Sequence, residues 1–138
     1  MIVHTSRLFD PRAAELGPLD VTRKSGKEGL IWAPSWEILS PALKAFKEAR
    51  TPAEKNNVFA LYSIDYKAEM RESWTRNRAA WERVLRWEYP ALDLEREHLT
   101  LQCYCVDHNY CHRTLLARDI LPGACARLGI EYEFHGEL

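Results

Sequence analysis

The stretch that most constrains the fold runs from Leu99 to Arg118 and reads LTLQCYCVDHNYCHRTLLAR. Its first half alternates apolar and polar residues with a period of two, which predicts a β-strand. Its last part carries leucines at helical spacing, which predicts an α-helix. Cys111-His112-Arg113 stands where that helix begins, after a short polar loop. A strand, a tight loop and a helix start form the arrangement in which α/β proteins bind ligands, beyond the carboxyl ends of parallel strands.

Arg113 is unusual at this position, because a cation in the first helical turn opposes the helix dipole by about 0.3–1 kcal/mol. An anion held between the arginine and the free N–H groups of the helix end would explain it. We therefore predict that Arg113 clamps an anion, and that replacing it leaves the stability of the ligand-free protein almost unchanged. The alternative is a solvent-facing arginine that binds nothing.

The length and the net charge of the chain exclude several classes of protein. A chain of 138 residues, 46% hydrophobic and 28% charged, indicates one globular domain over residues 1–138. The net charge of −1 excludes a general basic surface for nucleic acid, so any such contact must be local. Without a signal-peptide pattern or a long apolar run, we expect a cytoplasmic protein with no membrane partner. Its four cysteines are then expected to be thiols, reactive groups or metal ligands rather than structural disulfides.

The remaining pattern predicts an α/β domain whose small, mostly parallel sheet has helices on both faces. The predicted strands are 2–6, 99–105 and 130–135, with a further short strand near 30–33. Residues 10–29 have no clear period and are interpreted as a long loop.

Helix boundaries are predicted from capping residues. Ser40-Pro41 and Thr51-Pro-Ala-Glu54 both combine a capping side chain with proline at the first helical position. The second start leads into a long helical region that is expected to break near 72–75 and to end before Pro90. Gly129 is expected to end the last helix.

Four segments are expected to converge on one pocket at the carboxyl ends of the strands. Three of them carry arginine, and the basic loop around Lys24 offers cations and hydroxyls to a phosphate. Trp36 either stacks on a nucleobase or packs a corner, and Asp107 is expected to orient a base or a sugar hydroxyl. The predicted ligand-binding residues are Thr5, Ser6, Arg7, Thr22, Arg23, Lys24, Ser25, Trp36, Asp107 and Arg113.

The cysteines leave several interpretations open beside the anion pocket. Cys111 or Cys105 is a candidate thiolate nucleophile with His112 as acid–base, in the layout of rhodaneses and cysteine phosphatases. The spacing from Cys105 to Arg113 is longer than in those enzymes, so this is an analogy. The last interpretation is that the cysteines pack in the core and His112 caps the helix.

A zinc site at Cys103, Cys105, Cys111 and His112 has suitable ligand types. However, the spacing of these residues matches no common zinc pattern, and the adjacent residues Cys111 and His112 are not expected to converge on one ion. Cys103 and Cys105 also fall on an apolar strand face. The sequence therefore predicts no metal ligand and no cofactor.

The combination L-T-L-Q-C-Y-C…C-H-R-x-L-L-A at 99–117 resembles the DUF488 family of small bacterial and phage proteins. The motifs at 19–25 (LDVTRKS), 33–36 (APSW) and 136–137 (GE) are also similar to it, as is the tyrosine–methionine helix face at 62–70. The resemblance implies an α/β, Rossmann-like fold, and some members lie beside nucleic-acid-processing or phage genes. The residues that match the family's motifs are Asp20, Thr22, Arg23, Lys24, Ser25, Pro34, Ser35, Trp36, Cys103, Cys105, Cys111, His112, Arg113 and Glu137.

These observations predict a pocket that binds a phosphorylated small molecule, a phosphate-bearing nucleotide or a nucleotide of a nucleic acid. If the pocket is catalytic, His112, Cys111 and Cys105 are the reacting groups, and Arg113 and Arg23 stabilise charge. The alternatives are a non-enzymatic protein that sequesters a nucleotide, as a phage or regulatory protein would, and a thiol-based enzyme of the rhodanese or phosphatase kind.

Overall fold

A computed structural model describes residues 1–86 and 97–138 of the chain. Within these two ranges, four parallel strands form one sheet in the order β2-β3-β1-β4. The strands are β1 (Ile2–Arg7), β2 (Pro18–Asp20), β3 (His98–Cys103) and β4 (Glu133–Glu137). The predicted α/β class with a small parallel sheet is therefore confirmed.

Four α-helices accompany the sheet in the described residues. They are α1 (Trp36–Glu48), α2 (Pro52–Leu85), α3 (His112–Leu115) and α4 (Leu121–Leu128). A π-helical turn joins α3 to α4, and Pro122 follows it in the first turn of α4. Gly129 ends α4 in the left-handed conformation, with φ at 71°, as the sequence predicts.

The apolar core lies on one face of the sheet, where Val3, Leu99 and Leu101 point toward the helices. Tyr62 and Tyr66 of α2 stack in this core with ring centroids 6.0 Å apart, which confirms their predicted common face. The other sheet face carries polar side chains, including Ser6, Thr100 and Gln102, that the chain nonetheless buries.

The first helix begins earlier than predicted. It starts at Trp36 after Ser35, so that Pro41 lies inside α1 rather than at its first position. Proline at position 41 removes only the helical hydrogen bond to the carbonyl of Glu37. Pro41 and Glu37 are both exposed, so water is able to donate to that carbonyl instead. Leu43, which the sequence places inward, is half exposed.

The capping of α2 is as predicted, since the Thr51 hydroxyl accepts a hydrogen bond from the Glu54 amide at 3.1 Å. The break in α2 lies at Asn77, which has φ −126° and ψ 30°, and not at 72–75. The hydroxyl of Ser73 is used by Trp81 and Ile31, and that of Thr75 bonds the Arg71 carbonyl, so neither starts a new helix. The predicted helix end before Pro90 lies outside the described residues.

The fourth strand is not at 30–33, where the chain forms a short 3₁₀-helix, Glu28–Trp32. The sheet edge beside β3 is taken by Pro18–Asp20 instead, within the segment expected to be a loop. A strand of three residues carries too little alternation to be recognised in the sequence, and a short apolar run does not distinguish a strand from a helical turn.

Candidate functional site

Three thiols and one imidazole meet where β3 ends and α3 begins. The Sγ atom of Cys103, the last residue of β3, lies 3.7 Å from Cys105 Sγ and 3.9 Å from His112 Nδ1. Cys111, at the N-cap of α3, places its Sγ 3.8 Å from the same nitrogen. We call these four residues the thiol–imidazole cluster. Cys103, Cys111 and His112 are buried, and Cys105 is partly exposed.

The protonation of His112 follows from its hydrogen bond to the loop after β2. Its Nε2 atom lies 2.7 Å from the carbonyl oxygen of Val21. A carbonyl only accepts, so Nε2 carries the proton, and in the neutral ring Nδ1 presents its lone pair to Cys103 and Cys111. One backbone contact therefore orients the imidazole toward the thiols and links this loop to the cluster.

The thiols differ in acidity. Hydrogen bonds from Cys105 and Cys111 hold the pKa of Cys103 well below its usual range. The interaction with Cys103 raises the pKa of Cys105 to about 11, and burial raises the pKa of Cys111. The thiol whose pKa is lowered is therefore that of Cys103, whereas the sequence analysis named Cys111 and Cys105 as candidate nucleophiles.

Arg113 does not face an open pocket, which corrects the prediction made for it. Its side chain is fully buried, and its Nη2 atom lies 2.7 Å from Oε1 of Glu137 at the end of β4. Its Nη1 donates to the Cys105 carbonyl at 2.9 Å and to Cys111 Sγ at 3.5 Å. Glu137 supplies the negative charge that the sequence argument assigned to a ligand.

The predicted residues of β1 divide between the two faces of the sheet. The hydroxyl of Thr5 is buried and donates to Glu137 Oε2 at 2.6 Å, which joins it to the Arg113 ion pair. Ser6 points to the other face and interacts with Gln102, so it does not reach the cluster. Arg7 is exposed at the end of the strand.

A second polar group lies at the end of β2. The hydroxyl of Ser25 donates to the Asp20 carboxylate in a short hydrogen bond and lies 3.0 Å from both Thr22 Oγ1 and the hydroxyl of Tyr104. The ammonium of Lys24 lies 5.9 Å from the centroid of the Tyr104 ring. We call these five residues the hydroxyl patch. The Val21–His112 contact places it beside the thiol–imidazole cluster.

The other predicted residues lie around this edge with different roles. The guanidinium of Arg23 donates to the carbonyls of Ala33 and Pro34 and so holds the segment before α1. Trp36 follows it with a half-exposed side chain. Asp107 is exposed and caps its own loop by accepting from the Asn109 amide.

Sequence reasoning named Asp20 and Glu137 only as matches to the family's motifs and gave Tyr104 no role, whereas all three contact residues of the site. Phe9 follows β1 with a left-handed backbone (φ 64°) and is 85% exposed, which is unusual for an aromatic residue. An acidic residue at the end of the last strand was the available signal for a partner of Arg113, since charges inside proteins are paired.

A groove of about 440 Å³ lies elsewhere, between α2 and the π-turn and α4, and is lined by Lys67, Arg71, Trp74, Asp119 and Arg127 among others. None of the residues predicted for the site lines it. No helix in the described ranges 1–86 and 97–138 has the length and apolar character needed to cross a bilayer.

Comparison with known proteins places the chain in a family. A family model described as the active DUF488-N3 subclade, DUF488-N3a, matches residues 4–123. The chain belongs to the DUF488 family. The match covers the hydroxyl patch and the thiol–imidazole cluster of this DUF488 member, and it stops before Glu137. Neither the curated proteins nor the solved structures contain a match.

Proposed function

We propose that this DUF488 member binds a phosphate-bearing nucleotide at the carboxyl edge of its sheet, over the hydroxyl patch. The observation that carries the proposal is the exposed ring of Tyr104, which stands between a lysine ammonium and a network of hydroxyls with a carboxylate. A base stacks on such a ring whatever its identity. The carboxylate of Asp20 and the neighbouring hydroxyls suit the hydroxyls of a sugar.

Cations for the phosphate stand at the same edge. Arg7, Lys24 and Lys27 are exposed, and among residues 1–86 and 97–138 none of them has an ion-pair partner. In a chain with a net charge of −1, such unpaired cations beside an exposed aromatic favour a local anion site over a general polyanion surface.

A reaction on the nucleotide is the second candidate. It is favoured by the Sγ atom of Cys103, which lies 3.9 Å from His112 Nδ1, since a cysteine beside a histidine is the usual pairing for nucleophilic catalysis by a thiol. The matched subclade is described as active, which also favours a catalytic function.

Calorimetry with nucleoside mono-, di- and triphosphates, and with the unphosphorylated nucleosides, tests the proposal. We expect the phosphorylated forms to bind and the nucleosides to bind at least tenfold more weakly, because each charge-assisted contact contributes about 1.5–3 kcal/mol. Lys24→Ala should weaken binding, whereas Arg127→Ala, in the groove between α2 and α4, serves as the matched control.

Two outcomes would decide between the candidates or reject the site. Mass spectrometry of the nucleotide after incubation shows an intact ligand for a binder and a changed one for an enzyme. If Arg127→Ala loses binding while Lys24→Ala binds fully, the ligand binds in the groove between α2 and α4. The proposed site at the carboxyl edge of the sheet would then be wrong.

A further inference from the structure

We propose that Cys103, Cys105, Cys111 and His112 bind one zinc ion, which ties the end of β3 to the start of α3. Three thiols and one imidazole form a Cys₃His donor set, which is one of the combinations used by structural zinc sites. This inference rests on the thiol–imidazole cluster alone and does not depend on nucleotide binding. It excludes the cysteine-based reaction named above as the second candidate, because zinc would occupy the same sulfur and nitrogen atoms.

Three of the distances between the proposed ligand atoms match the edges of a tetrahedral site. With Zn–S bonds of about 2.3 Å and a Zn–N bond of about 2.05 Å, tetrahedral edges are about 3.8 Å between sulfurs and about 3.6 Å from sulfur to nitrogen. The Sγ atoms of Cys103 and Cys105 lie 3.7 Å apart, and His112 Nδ1 lies 3.9 Å and 3.8 Å from Cys103 Sγ and Cys111 Sγ. The ligand atoms of Cys103, Cys111 and His112 all lie within 4.8 Å of one another. Cys105 is not a member of this group of three and adjoins it through Cys103 Sγ.

The imidazole is oriented as a metal ligand requires. A ligating histidine usually donates its other N–H to a carbonyl or a carboxylate, which fixes its tautomer. Here Nε2 donates to the Val21 carbonyl at 2.7 Å, so Nδ1 keeps its lone pair and points at the sulfurs. This backbone partner fills the second-shell role without any further side chain.

The surrounding charge fits an anionic zinc complex. Three thiolates and one zinc ion carry a net charge of −1, and the Nη1 atom of buried Arg113 lies 3.5 Å from Cys111 Sγ. The same nitrogen donates to the carbonyl of Cys105, so one guanidinium touches two of the ligand residues. The guanidinium is also paired with Glu137, so it offers the zinc complex hydrogen-bond donors and a nearby cation that it shares with that carboxylate.

The fold answers the objection that Cys111 and His112 are adjacent, and it answers the strand-face objection for Cys105. Cys103 remains the last residue of β3, and the spacing of the ligands along the chain remains uncommon. Cys111 is extended (φ −128°, ψ 143°) and His112 begins the helix, and this change of backbone direction lets adjacent side chains face one point. Cys105 lies beyond the end of β3 and not on its apolar face. A zinc ion here would hold both ends of the loop that carries Tyr104.

Metal analysis of the full chain, purified without added metal or chelator, tests the inference. We expect one zinc ion per chain, released when a mercurial reagent titrates the thiols. Replacement by Co²⁺ should produce intense thiolate-to-cobalt absorption, which oxygen and nitrogen ligands do not produce. Cys105→Ser, at the least buried ligand, should lower zinc affinity at least tenfold, whereas Cys125→Ser removes a buried thiol outside the cluster and should leave it unchanged.

Three of the proposed ligands are buried, so replacing them can prevent folding. The decisive measurements are therefore made on the wild-type protein. Wild-type protein that holds no zinc and gives no thiolate absorption with Co²⁺ would overturn the inference, as would a Cys103–Cys105 disulfide in its peptide map. Equal zinc affinity in Cys105→Ser and Cys125→Ser would remove Cys105 from the ligand set. A zinc-loaded protein that binds no nucleotide would reject the proposed function and leave the metal site standing.

Discussion

The buried guanidinium of Arg113 and the carboxylate of Glu137 form an ion pair in which Nη2 and Oε1 lie 2.7 Å apart. The pair joins the first turn of α3 to the last residue of β4. The arginine side chain is fully buried and that of the glutamate is 17% exposed. Glu137 also accepts from Thr5 of the neighbouring strand. A position that looked like a ligand contact in the sequence is therefore part of the framework beneath the site.

Glu137→Gln should destabilise the protein, because it leaves the Arg113 cation buried without a counter-charge. Removing one partner of a buried pair costs about 3–5 kcal/mol, and partial exposure of Glu137 places the expected loss near the lower end. Chemical denaturation measures this change in the free energy of unfolding. Glu131→Gln, at an exposed glutamate just before β4, is the control and should change stability by less than about 0.5 kcal/mol. Equal stabilities of the two variants would show that the pair contributes nothing.

Tyr104→Ala should weaken nucleotide binding by about 1–3 kcal/mol if the ring stacks on the base. Tyr104→Phe keeps the ring and removes only the hydroxyl that lies 3.0 Å from Ser25 Oγ, so it should retain most of the affinity. Calorimetry with one nucleoside triphosphate compares the three proteins. An equal loss in both variants would assign the effect to the hydroxyl and contradict stacking.

Gly29→Ala should destabilise the protein and disturb the hydroxyl patch. A Cβ atom at this position would lie 2.3 Å from the backbone oxygen of Asp20, so the strand end must move. Overpacking of this kind costs about 1–3 kcal/mol. Gly123 of α4 has nothing within 4 Å of its Cβ position, so Gly123→Ala should stabilise by about 0.5–1 kcal/mol. Thermal unfolding compares the two, and a neutral Gly29→Ala would contradict the close approach.

The stability of the protein should fall with acid partly because of His4. Its Nε2 lies 3.1 Å from His98 Nδ1, and its ring packs edge-on against His135. Burial, then the charges of His98 and His135, lower the pKa of His4 below 6.5. The unfolded chain therefore takes up this proton at a higher pH than the folded protein does. Stability is full above the pKa that His4 has in the unfolded chain, and it is lost as the pH falls through the lower pKa that His4 has in the folded protein.

His4→Gln should make the loss of stability between about pH 7 and pH 5 shallower, since the titrating group is gone. His108→Gln, in the loop after β3, is the control and should leave the wild-type slope. Denaturant titrations over this pH range measure it. A slope in His4→Gln as steep as in the wild type would exclude His4 as the source.

Local signals in the sequence determined much of the architecture. The alternation at 99–103 predicted β3, the Thr51 hydroxyl and Pro52 predicted the start of α2, and Gly129 predicted the end of α4. Each depends on residues within one turn or one strand, where backbone geometry and capping act without help from the rest of the chain.

Only the tertiary structure decided what the site is made of. The partner of Arg113 lies 24 residues away, and the carbonyl that orients His112 lies 91 residues away. Whether an arginine at a helix start faces a ligand or a buried carboxylate depends on which strand end lies beside it. The order of the strands in the sheet brings Glu137 and Val21 to the cluster. No local sequence pattern encodes this order, because it follows from the burial of the whole sheet and from the pairing of all its strands.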